Sequence, residues 1–182
     1  NLYKETASAP DTVLYIIIED HFRRMLGVPF NIYDDVRLLH YHKNRNNELV
    51  KDNDSFFMNF FKSLYTYKYF RGIAADNYMK DEKNIEKIAN QAVEYFVLSK
   101  KNFEKNFNKK LKFYVFFYDN CRYYPAFKEK MEDKGFKVFP LFKLANVNYN
   151  DNPKYFSSKT NHPKEETWNL LTPIIAEIIS KA

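Results

Sequence analysis

At 182 residues the chain has the length of one domain, expected to span 1–182, and it is long enough to bury a self-sufficient core. One cysteine, Cys121, excludes an internal disulfide, and the lack of any run of about 18 apolar residues excludes a membrane-spanning helix by hydropathy. The net charge of +6 is spread among interspersed lysines and acids, so the surface reads as mixed rather than as a nucleic-acid stripe.

The chain opens at Asn1 without a methionine, which fits removal of an N-terminal segment, and it carries no recognisable signal peptide. The compartment, cytoplasmic or exported, is left open, as is the oligomeric state. Pro10-Asp11 introduces the first apolar run, Thr12 to Ile18, which is β-branched and continuous. Continuous rather than alternating hydrophobicity predicts a strand covered on both faces, as in a parallel sheet. Directly behind it stand Glu19, Asp20, His21, Arg23 and Arg24. Such density of ionisable groups at a strand end costs desolvation unless the groups face a cleft or pair with one another. Two readings stand: a ligand site, or a salt-bridged helix start with an acid as cap.

Residues 31–54 are polar and predict a surface excursion or short hairpin. His40 and His42 would share one face of a strand, but two histidines need a third ligand to hold a metal, and no spacing motif supplies one. No metal and no cofactor is expected. Asp54 or Ser55 reads as a helix N-cap, not a nucleophile turn, since no buried strand precedes it. Ser55 to Tyr65 is a Phe-rich helix candidate. From Asp81 to about Phe107, Ile85, Ile88, Ala92, Tyr95, Phe96 and Phe103 recur on one helical face.

A second buried strand is predicted over Leu111 to Tyr118, leading to Asp119-Asn120-Cys121-Arg122. Cys121 lies near a helix start and a cation, which could activate a thiol; a buried, inert thiol is the plainer reading. A helix from Pro125 to Lys134 should stop at Gly135 as its C′ residue. The third strand is predicted over Lys137 to Phe142. The last helix, Pro163 to about Lys181, should begin at its proline and kink at Pro173, burying Trp168, Leu171, Ile175 and Ile178. Strands alternating with helices predict an α/β fold: a three-layer sandwich with a mainly parallel sheet, flavodoxin-like in kind.

In such sheets, sites form at the carboxyl ends of the strands. Pro10-Asp11-Thr12 through Asp20-His21, the strand at 111–118 and the closing Asn161-His162-Pro163 together resemble the later two-thirds of the SGNH (GDSL-type) hydrolase superfamily. The resemblance implies an esterase or O-acyl transferase acting on a small-molecule or glycan ester. It implies His162 as general base, with Asp20 at the first strand's end as its catalytic partner, a carboxylate there, from Asp20 or Glu19, standing in for the orienting acid, and Glu19, His21 and Asn161 lining the substrate pocket. It departs from the family in two places. No Gly-Asp-Ser block is present, and the family's order would put it before Asn1. Lys159 and Thr160 stand three and two residues before His162, where the family carries the orienting acid. The alternative is a non-catalytic α/β binding module that has lost the triad. A nucleic-acid partner is not expected.

Overall fold

The computed structural model describes residues 10–25, 41–46, 49–51, 65–118, 121–146, 154–157 and 162–181. Strand β1 (Thr12–Ile17) runs into helix α1 (Glu19–Met25). A short antiparallel hairpin follows, β2 (Tyr41–Lys43) with β3 (Leu49–Lys51). Helix α2 (Tyr65–Lys80), one 3₁₀ turn (Glu82–Asn84) and the long helix α3 (Ile85–Phe107) lead to β4 (Lys112–Phe117). Helix α4 (Tyr124–Glu132), β5 (Lys137–Pro140) and α5 (Leu141–Leu144) come next. Two-residue bridges β6 (Phe156–Ser157) and β7 (His162–Pro163) pair antiparallel before α6 (Glu165–Ser180) closes the fold.

The three apolar runs assemble as predicted into one parallel sheet of order β1-β4-β5, with β4 in the middle. The fold is mixed α/β. In the central strand successive side chains alternate between the two faces of the sheet. Phe113, Val115 and Phe117 enter one apolar cluster with Phe22 of α1, Ile88, Ala92 and Phe96 of α3, and Phe127 of α4. Tyr114, Phe116 and Tyr118 enter a second cluster with Leu141 of α5 and Leu171 of α6. The long-helix periodicity therefore reports a real face: Ile88, Ala92 and Phe96 are buried and Ile85 packs at its margin.

β1 departs from the expectation of cover on both faces. Val13, Tyr15 and Ile17 face the first cluster, but Leu14 and Ile16 are 45% and 38% exposed. The reason is topological. β1 is one of the two edge strands, and the second cluster, which holds the α6 side chains, takes in Tyr114, Phe116 and Phe139 of β4 and β5 but neither Leu14 nor Ile16.

Helix ends follow local chemistry. Gly135, at φ +77°, sits at the C′ position of a Schellman turn: its N–H donates to Glu132 and that of Phe136 to Met131. Asn108, at φ +48°, does the same for α3, with Asn108 donating to Lys105 and Lys109 to Glu104. The last helix begins at Glu165, not at Pro163. His162 and Pro163 instead pair with Ser157 and Phe156, and the Lys164 N–H donates to the Tyr155 carbonyl, so a contact from earlier in the chain holds this segment extended. Pro173 lies within α6, which continues to Ser180. The third strand stops at Pro140, and Leu141 opens a short helix. The helix expected over 55–65 falls outside the described residues except for Tyr65, where α2 begins.

Candidate functional site

β1 and β4 run in register, Ile17 opposite Phe117, and the Tyr118 N–H donates to the Ile17 carbonyl at 2.9 Å. Their carboxyl ends therefore lie side by side, about 4.8 Å apart by the usual strand spacing. Whatever follows either strand meets at one edge of the sheet.

After β1 the chain turns at Ile18 and winds into α1. The His21 N–H donates to the Ile18 carbonyl at 3.0 Å. The His21 ring folds back as well, its Nδ1 accepting from the Ile18 N–H at 3.4 Å. With Nδ1 an acceptor, the neutral ring carries its proton on Nε2. Phe22 anchors this helix. It is fully buried, its ring 4.8 Å from that of Tyr123, 5.3 Å from Phe127 and 6.1 Å from Phe117.

After β4 the chain turns through Cys121 and Arg122 into α4. Arg122 holds Glu19 with two donors, its backbone N–H to Oε2 at 3.1 Å and its Nε to Oε1 at 2.8 Å. The residues are 103 positions apart in sequence. Desolvation lowers the Arg122 pKa, but the Glu19 hydrogen bond and charge more than offset it and raise the value. The guanidinium stands 5.5 Å from the Tyr123 ring centroid. Tyr123 is itself buried, and its hydroxyl donates to the Met79 carbonyl at 3.0 Å. Burial pushes its phenol up to about 12. Cys121 is buried and its carbonyl accepts from the Tyr124 N–H, which agrees with the plainer reading of that thiol. Lys143, from α5, brings its ammonium to 5.8 Å from the Tyr124 ring centroid.

The start of α6 reaches the same edge from the opposite face of the sheet. Trp168, in its first turn, stacks on Tyr118 with ring centroids 6.2 Å apart. Tyr118 directly follows β4 at its carboxyl end. Thr167 Oγ1 donates to the Tyr155 carbonyl, which also accepts the Lys164 N–H.

Of the residues singled out in the sequence, Glu19 and His21 stand at the carboxyl end of β1 with the partners given. Asp20 has its backbone in α1 and His162 in β7; the side chains of both, and all of Asn161, lie outside the described residues. His40, Asp54 and Ser55 lie outside them as well, and His42 has its backbone in β2. Among the described residues no three His, Cys, Asp or Glu side chains gather to hold a metal ion, and no helix is long and apolar enough to cross a membrane. The partner of Glu19, Arg122, was visible in the sequence only as the cation following Cys121 behind an apolar strand.

No protein-family model, curated protein or solved structure matches this chain.

Proposed function

We propose that the ligand site of this domain lies at the carboxyl edge of the parallel sheet, where α1, the Cys121–Tyr124 turn and the entry to α6 converge. The observation that carries this reading is the Trp168–Tyr118 stack at 6.2 Å, which supports an entry to α6 on the same edge as the Glu19–Arg122 pair. The general rule for open parallel sheets favours that edge too. We read the architecture as a three-layer sandwich of the SGNH-hydrolase and flavodoxin-like kind. The activity is then that of an SGNH-like esterase or O-acyl transferase on a small-molecule or glycan ester.

In this reading His162 is the general base. It takes the proton of an attacking serine hydroxyl as the oxygen adds to the ester carbonyl, then returns it to the departing alcohol. Asp20 is the carboxylate proposed to orient it, in place of the acid missing at positions 159 and 160. Glu19, His21 and Asn161 line the substrate side. The test is ester hydrolysis by the full-length gene product against a His162→Ala variant. A loss on the order of 10⁶ in turnover is expected if the histidine is the base. Equal, measurable rates in both proteins would remove His162 from the mechanism.

A second reading is a non-catalytic binding module with the same edge as its site. It is favoured by one observation: both Glu19 oxygens are engaged by Arg122, a structural role for a residue otherwise assigned to substrate. It predicts no labelling of the full-length gene product by a serine-reactive fluorophosphonate, and strong labelling would sink it.

A further inference from the structure

We propose that helix α2 docks on an anionic lipid surface, laying Tyr69, Phe70 and Ile73 among the headgroups. The contact is independent of the site at the carboxyl edge of the sheet. Among the described residues six large apolar side chains are exposed, and three of them stand on this one helix: Phe70 at 69%, Tyr69 at 48% and Ile73 at 44%. At about 100° per residue the three fit within one arc of about 100° around the helix axis. The Tyr69 and Phe70 rings meet edge to face, their centroids 5.7 Å apart.

The helix is held by its other end. Met79, in the last turn, is buried, and its carbonyl accepts from the Tyr123 hydroxyl. The Tyr78 carbonyl accepts from Asn84 Nδ2, and the Tyr78 side chain packs against the first apolar cluster. Phe70 lies about 13 Å along the axis from that anchor, at the helical rise per residue. Apolar side chains scattered singly over a surface need no explanation, but three on one flank of one helix, away from its anchored turn, mark a contact.

Charge selects the occupant. Ser55 to Ala75 is the longest acid-free stretch of the chain, and it holds eight aromatic residues together with the cations Lys62, Lys68 and Arg71. The next acid, Asp76, is paired with Lys80 one turn on, at 2.5 Å. Asp81 and Glu82 follow about 16 Å or more along the axis from Phe70, beyond the screening length of about 8–10 Å. Amphipathic rings, aliphatic groups and charge of one sign are what the headgroup level of an anionic bilayer favours. An apolar protein partner would not call for one sign of charge across the whole stretch. At 16 residues, with Asp76 and Lys80 on it, α2 suits lying on a bilayer rather than spanning it.

The experiment sediments the whole chain with vesicles of phosphatidylcholine containing phosphatidylserine, and in parallel with vesicles of phosphatidylcholine alone. Binding to the anionic vesicles is expected, roughly tenfold or more tighter than to the neutral ones and weakened by added salt. Phe70→Ala should weaken it roughly tenfold with Tm unchanged, because the ring is exposed in the free protein. Leu144→Ala, an exposed apolar control on α5, should leave binding unchanged. Phe70→Trp and Leu144→Trp give an independent readout. Anionic vesicles should shift the emission to the blue, with quenching by brominated lipid, in the first and not in the second. No binding to either vesicle, equal binding to both, or binding unaffected by Phe70→Ala overturns the proposal. So does self-association of the chain, without lipid, that Phe70→Ala abolishes, which would assign the face to a second copy. Binding of a single-stranded oligonucleotide that Phe70→Ala abolishes would assign it to nucleic acid and overturn the proposal as well.

Discussion

Phe22 is the residue on which the geometry of the α1 corner depends most. It is 0% exposed and its ring meets three others, Tyr123, Phe127 and Phe117, at centroid distances of 4.8, 5.3 and 6.1 Å. Truncation to alanine removes the aromatic transfer energy and leaves a cavity that three large rings, themselves packed on β4 and α4, cannot collapse to fill. Phe→Ala changes in such settings cost about 3–5 kcal/mol. At about 2–4 °C per kcal/mol for a chain of this size, Phe22→Ala should lower Tm by about 6–20 °C. Urea unfolding followed by Trp168 fluorescence measures the same quantity as a shift in midpoint at constant slope. The paired control is Leu14→Ala on β1, 45% exposed, for which a loss under about 1 kcal/mol is expected. Because Phe22 also supports Tyr123 and α1 carries Glu19, the variant should broaden or shift the Arg122 Nε–H resonance before global unfolding begins. A Phe22→Ala protein within about 1 kcal/mol of wild type, or no more affected than Leu14→Ala, would refute the claim that this side chain is an internal anchor.

Tyr114 is fully buried and its hydroxyl has no hydrogen-bond partner among the described residues, so Tyr114→Phe should be neutral or stabilising by up to about 1–3 kcal/mol, and a clear loss in a urea titration would show that the hydroxyl is satisfied. Gly135→Ala should cost about 1–2 kcal/mol through its left-handed φ of +77°; the nearest atom to an added Cβ is the Lys100 ammonium at 3.2 Å, the mobile end of a flexible chain, so contact adds little and loss of the Phe136-to-Met131 bond is the readout by amide exchange. Tyr123 titrates at about 12 in the fold against an ordinary 10.0, a raised value, so its contribution is fully present below about pH 10 and is lost as pH rises toward 12. Urea midpoints taken across that window should fall with pH, and less steeply in Tyr123→Phe.

The elements legible in the sequence are those whose signal is local. Three continuous apolar runs marked the three strands of the sheet, and the 3.6-residue recurrence of Ile85, Ile88, Ala92 and Phe96 marked the long helix and its buried face. Gly135 marked a helix end because only a residue tolerant of positive φ suits that turn. What the sequence misassigned depends on distant partners. Leu14 and Ile16 look as apolar as the core of β4, but their exposure depends on which elements pack over that face, which no window of β1 contains. Helix α2 carries Tyr69, Phe70 and Ile73 exposed and offered no apolar stripe to detect. His162-Pro163 has the composition of a helix entry, but pairing with Phe156-Ser157 draws it into an extended bridge and moves the helix start to Glu165.

The corner around Glu19 was half legible. A dense group of charges behind an apolar strand had to find partners, and for Glu19 the reading of a salt-bridged helix start holds: it sits in the first turn of α1 in an ion pair with Arg122, at the carboxyl edge of the sheet. The identity of the partner was not legible, because Arg122 is brought to Glu19 only by the parallel pairing of β1 with β4.

The proposed site requires the entry to α6 to lie at the carboxyl end of β4. Trp168 is the chain's one tryptophan, so its indole protons report without ambiguity. Nuclear Overhauser contacts between the Trp168 indole and the Tyr118 ring, 6.2 Å apart between centroids, are predicted to be present. Contacts from Trp168 to the Tyr114 ring, nearer the amino end of β4, with none to Tyr118, would reverse α6 on the sheet and contradict the proposed site.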